Sequence, residues 1–92
     1  MFNFKKQTRN KSKKVSYQLT FIFQGNRKDY VFYDIDDAVL CFYGKIVEIR
    51  SKNLSDRPEF LMSLFNSDGN ILMNYHRDRN EDTITDLRPT KI

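Results

Sequence analysis

A chain of 92 residues with a single histidine and a single cysteine has few routes to chemistry. His76 and Cys41 are its soft metal-ligand candidates, whereas a structural zinc site takes four ligands drawn mostly from Cys and His. No such centre can be assembled within one chain, so no metal is expected. Nucleophilic catalysis needs a thiol or hydroxyl held beside a base. Cys41 sits between Leu40 and Phe42 and reads as a packing residue, while His76 closes an apolar run. Asp34, Asp36 and Asp37 follow another apolar run at a spacing that could serve a nucleophile and an acid/base. A helix cap with dipole-compensating acids accounts for all three. Asn66, Asp68 and Asn70 surround Gly69 in the manner of a calcium loop, but the glycine is misplaced and the bidentate glutamate is missing. Glycines at 25, 44 and 69 are too scattered to cradle a phosphate. These residues predict a protein that is not an enzyme, with no cofactor and no small-molecule substrate.

Charge is distributed unevenly. Lys5, Lys6, Arg9, Lys11, Lys13 and Lys14 fall in the first 14 residues, where there is no acid. Residues 15–92 hold the other ten basic residues against twelve acidic ones, a net charge of −2. A nucleic-acid binder usually carries its positive charge on the folded face that meets phosphate. Here the candidate nucleic-acid contact is the arm alone. No run approaches the roughly 18 apolar residues of a membrane span, and no apolar stretch follows the basic start as a signal peptide requires. A lone thiol fits a reducing compartment. The expectation is a soluble, cytoplasmic protein that does not engage membranes. Ala38 is the single alanine while Asn, Lys, Ile, Phe and Tyr are plentiful, the composition of an AT-rich coding source such as a low-GC bacterium or its phages.

Val15, Tyr17, Leu19, Phe21 and Phe23 alternate with Ser16, Gln18, Thr20, Ile22 and Gln24, the period-two pattern of a half-buried strand. Gly25 and Asn26 accept positive φ, and Tyr30 to Tyr33 reads as the returning strand. The odd positions of the first strand then share a face with Tyr30 and Phe32. Ile35, Val39, Phe42, Ile46 and Ile49 step by four, three, four and three, which predicts an amphipathic helix from about 35 to 52 capped by Asp34. Gly44 weakens its middle. After the polar connector from Asn53 to Pro58, Phe60 to Asn66 and Ile71 to His76 flank Asp68-Gly69, a hairpin signal that pairs Leu64 with Met73 and Met62 with Tyr75. One face carries Phe60, Met62, Leu64, Ile71, Met73 and Tyr75. The other carries Leu61, Ser63, Phe65, Leu72, Asn74 and His76.

The predicted class is α+β in the order ββαββ: a four-stranded antiparallel sheet with one helix packed on one face. Residues 1–14 form a basic flexible arm, 15–76 a single domain, and 77–92 a polar C-terminal tail with Ile84 and Leu87 to anchor it. A domain this small buries only about 60–65% of its unfolded surface, so a partner can supply part of its stability. The helix leaves the outer sheet face bare, with Ile22, Val31, Tyr33, Leu61, Phe65, Leu72 and His76 as the candidate protein-binding residues. Either the tail folds over that face or another molecule does. The leading expectation is a small non-enzymatic protein-binding module that uses the outer face or an edge strand to engage another protein or a second copy of itself. An inhibitor or adaptor from a phage or mobile element would fit that description. The alternative is a nucleic-acid-binding protein whose arm tracks phosphates while Tyr33 and Phe65 stack on bases.

Overall fold

The computed structural model describes residues 15–52 and 57–89. Five strands and one helix follow in the order β1 (Tyr17–Phe23), β2 (Asn26–Phe32), α1 (Ile35–Ser51), β3 (Phe60–Phe65), β4 (Ile71–Arg77) and β5 (Asp82–Asp86). The strands form one antiparallel sheet in the order β2-β1-β3-β4-β5, with α1 on one face. The α+β class with a helix covering one face is as expected; among the described residues the sheet has five strands rather than four.

The first hairpin turns on Gln24 and Gly25, with φ of 52° and 81°, one residue earlier than the expected pair. Two successive positive φ values match the right-handed twist of the flanking strands, and glycine takes the second position at no steric cost. Phe23 therefore pairs with Asn26 and Leu19 with Tyr30. The register moves by two residues, which leaves the faces unchanged. Only Tyr33 and Asp34 link β2 to α1, so the helix folds straight back over the sheet. The Asp34 carboxylate accepts from the Asp36 amide at 2.8 Å and fixes the start of the helix.

The core lies between helix and sheet. Ala38, Phe42, Ile46 and Ile49 of α1 meet Leu19, Phe60, Met62, Leu64, Met73 and Tyr75, all buried. In β3 and β4 the expected pairs Leu64 with Met73 and Met62 with Tyr75 form. The register then shifts between Leu64 and Phe65, setting Phe65 opposite Ile71. The loop causes this: Asn66 Oδ1 accepts the amides of both Asp68 and Asn70 at 2.9 Å, and the Asn66 amide donates to Asn70 O at 2.9 Å. A three-residue loop, Ser67 to Gly69, thus replaces the two-residue one. Ile71, expected in the core, is 43% exposed, and Leu72 packs against the core instead.

β5 lies inside the segment expected to be a tail. Asp78 Oδ1 accepts the amides of Asn80 and Glu81 at 2.8 and 3.0 Å and closes a tight return, so Arg77 pairs with Asp82. Ile84 stands opposite Tyr75 and packs against the core. Asp82 then ties the strand down, accepting from Arg50 at 2.6 and 3.3 Å and from the Tyr75 hydroxyl at 3.0 Å, with Arg77 Nε 3.4 Å away.

Candidate functional site on the outer face of the sheet

Cross-strand pairing arranges the face away from the helix in rows running across the strands. One row is Arg27, Ile22, Leu61, His76 and Thr83; the next is Asp29, Thr20, Ser63, Asn74 and Thr85. A third begins with Val31, Gln18 and Phe65 and ends on Ile71, because of the bulge. Of the candidate residues, Ile22 and Val31 are exposed and Leu61, Phe65 and His76 half-buried on this face. Leu72 has left it for the core, and Ile71 stands in its place. Tyr33 is 65% exposed in the link before α1 rather than within a strand. The candidate nucleic-acid residues Lys5, Lys6, Arg9, Lys11, Lys13 and Lys14 lie outside the described residues.

The middle row is polar and internally satisfied. Thr20 donates to Asp29 at 2.6 Å, Arg27 Nε reaches the same carboxylate at 3.2 Å, and Ser63 donates to Asn74 at 2.7 Å. The Thr20 hydrogen bond, then Arg27, holds the Asp29 carboxyl below its ordinary value. The apolar surface is therefore two strips divided by a polar seam, not the continuous patch that alternation implied. Two shallow hollows, of about 420 and about 210 Å³, open on this face. Phe65 walls both.

At the β4–β5 end of the face, His76 gathers three carboxylates. Its Nδ1 contacts Glu81, its Nε2 contacts Glu59 at 3.0 Å, and Asp78 lies 3.7 Å from Nε2. One nitrogen and two carboxylate oxygens, from His76, Asp78 and Glu81, come within 4.8 Å of one another, a set that could face a cation or hold an imidazolium. Hydrogen bonding to Glu81 and then to Glu59 raises the His76 pKa above its ordinary 6.5. A raised value means that the folded state holds the proton. Its stabilisation is full below about pH 6.5 and is lost as pH rises through the folded value. Titrating the imidazole by NMR should give a midpoint above 6.5 in the wild type, and Glu81→Gln should move it down; equal midpoints would mean that the ion pair does not form in solution.

Burial pushes the Cys41 thiol up, away from the reactive thiolate. No helix among the described residues is long and apolar enough to cross a membrane.

A further exposed stripe runs along α1. Leu40, Tyr43 and Val47 are 73%, 40% and 66% exposed on the side away from the sheet. Their spacing of three and four residues was readable in the sequence as a second apolar face, but the core stripe drew the helical reading first. The fold and this surface define a class, a small α+β domain with, among the described residues, one helix on a five-stranded antiparallel sheet. In comparisons with known proteins the chain matches no family model, no curated protein and no solved structure.

Proposed function

We propose that this protein is a non-enzymatic protein-binding module whose outer sheet face joins two copies of the chain. The observation that carries the reading is the path of residues 82–86. The segment that could have covered the face extends the sheet at its edge, with Ile84 turned toward the helix side, and leaves Ile22, Val31, Leu61 and Phe65 without an intramolecular cover among the described residues.

Charge complementarity favours a second copy as the occupant. The outer row runs from Arg27 on β2 to the carboxylates around His76 on β4. A two-fold axis parallel to the central strand β3 lays β2 of one copy over β5 of the other, so each Arg27 faces the partner's acidic end. Five strands about 4.8 Å apart and six residues of about 3.3 Å each present roughly 500 Å² per copy. The resulting total, about 1,000 Å², is at the lower limit for a specific interface, so the dimer should be weak and concentration-dependent.

Phe65→Asp puts a charge into the wall shared by both hollows and should abolish the dimer in sedimentation while leaving the thermal midpoint of the dilute protein unchanged. Val47→Asp, on the far side of the helix, should leave the dimer intact. The reverse pattern would move the contact to the helix stripe and overturn this reading.

A further inference from the structure

A groove on the opposite side of the molecule combines three properties absent from the outer face. Among the described residues β2 is the outermost strand on its side of the sheet, so its outer edge offers unpaired backbone N–H and C=O groups. Between β2 and the C-terminal half of α1 opens a hollow of about 230 Å³, floored by Phe21, Phe23, Tyr30 and Phe60. Its rim carries Lys28 from β2 and Lys45 and Lys52 from α1 and its cap, against one acid, Glu48. Lys28 stands opposite Phe21 in the register and so faces the helix side. Lys45 Nζ hangs over the Phe21 and Tyr30 rings, 5.0 and 5.8 Å from their centroids, and its contact with Glu48 is 3.5 Å long and exposed.

From this juxtaposition we infer that the groove between β2 and α1 binds an extended acidic peptide, which adds to the sheet as a strand beside β2 and places one apolar side chain in the aromatic hollow. The edge selects an extended backbone, because only a strand can use its hydrogen-bonding groups. Period-two alternation places the peptide's inward side chains opposite Tyr30 and Lys28, an apolar one against the ring and an acidic one against the ammonium. The hollow is large enough for one side chain. A surplus of two positive charges at its rim attracts carboxylates and repels basic segments. The negative end of the α1 dipole lies nearby, but Arg77 donates to Ile49 O at 2.8 Å and offsets it. Charged residues at an edge normally discourage pairing. Here Lys28 discourages all but an acidic partner. The side chains that line the groove are not those of the outer face, and two copies joined through that face keep both grooves open.

The test uses the full chain and a blocked, fluorescein-labelled Glu-Thr-Phe-Thr-Glu peptide, which presents the same inward face in either direction. Anisotropy should detect saturable binding, and Lys28→Glu should weaken it at least tenfold. The peptide with lysines in place of the glutamates should not bind the wild type but should bind the Lys28→Glu/Lys52→Glu protein. Saturation should slow hydrogen exchange at β2 amides, the mark of an added strand. Phe65→Asp should leave peptide affinity unchanged, so that failure of the dimer and failure of the groove are told apart. Equal affinity for wild type and Lys28→Glu would overturn the proposal. So would an oligothymidylate that displaces the peptide and loses affinity on Tyr30→Ala, since the groove would then be a nucleic-acid site.

Discussion

Asp82→Ala is expected to lower stability by about 2–3 kcal/mol, and hence the thermal midpoint by roughly 10–20 °C for a domain of this length. Asp82 is the point at which β5, β4 and α1 are joined. Its side chain is 24% exposed and accepts from Arg50 and from the hydroxyl of fully buried Tyr75. Arg50 is 47% exposed, so water screens its share. The larger loss comes from leaving the Tyr75 hydroxyl without an acceptor and Arg77, 15% exposed, without its nearest carboxylate. Hydrogen bonding to Arg50 and then to Tyr75 holds the Asp82 carboxyl below its ordinary value of 3.8. Its contribution is therefore complete above that value and is lost as pH falls through the lower folded one. Wild type and Asp82→Ala should converge in urea denaturation at strongly acidic pH and diverge at neutral pH. A midpoint shift of less than about 2 °C at neutral pH would mean that packing of Ile84, rather than the ion-pair cluster, holds the strand.

The same residue explains why the fifth strand was not read from the sequence. Asp82 to Asp86 has only Ile84 to bury, and its alternation is too sparse to distinguish from a charged tail. What makes it a strand is a partner 32 positions away, Arg50, together with the Asp78 turn. Two local signals pointed there: the β-branched Thr83-Ile84-Thr85 and the Asp78 and Asn80 that bracket a return. Both are weak without knowing that β4 has a free edge. By contrast, β1, α1 and the β3–β4 pairing were legible because each buries a whole periodic face, and burial of ten core residues overrides local uncertainty such as Gly44. The turns shifted for a reason periodicity does not encode. Asn66 uses its side chain to satisfy two loop amides, and the bulge that follows exchanges Ile71 and Leu72 between faces. Alternation put Ile22, Val31, Leu61, Phe65 and His76 on one face, where the sheet has them, but it did not show the polar seam, which depends on cross-strand register. The β2–α1 groove was beyond reach in the same way: Lys28, Lys45 and Lys52 are spread over 25 positions and meet only once the helix crosses the sheet.

Phe42→Ala is expected to remove about 3–5 kcal/mol, a large share of the stability of a 92-residue chain that at about 0.05–0.15 kcal/mol per residue has roughly 5–14 in all. Phe42 is fully buried at the centre of the one helix that covers the sheet, and no second layer exists among the described residues to close the cavity. Val47→Ala, five residues on but 66% exposed, should change stability by less than about 0.5 kcal/mol. Equal shifts for the two variants would mean that α1 does not pack by the Phe42 face. The weakened protein also tests the dimer. Association stabilises the folded state by mass action, so the midpoint of Phe42→Ala should rise as its concentration is raised. Adding Phe65→Asp should remove that rise without a further loss at low concentration, because the two substitutions lie on opposite faces of the sheet and act on different equilibria. If the concentration dependence survives in the double variant, the copies meet through another surface, and the exposed stripe of Leu40, Tyr43 and Val47 becomes the place to charge next.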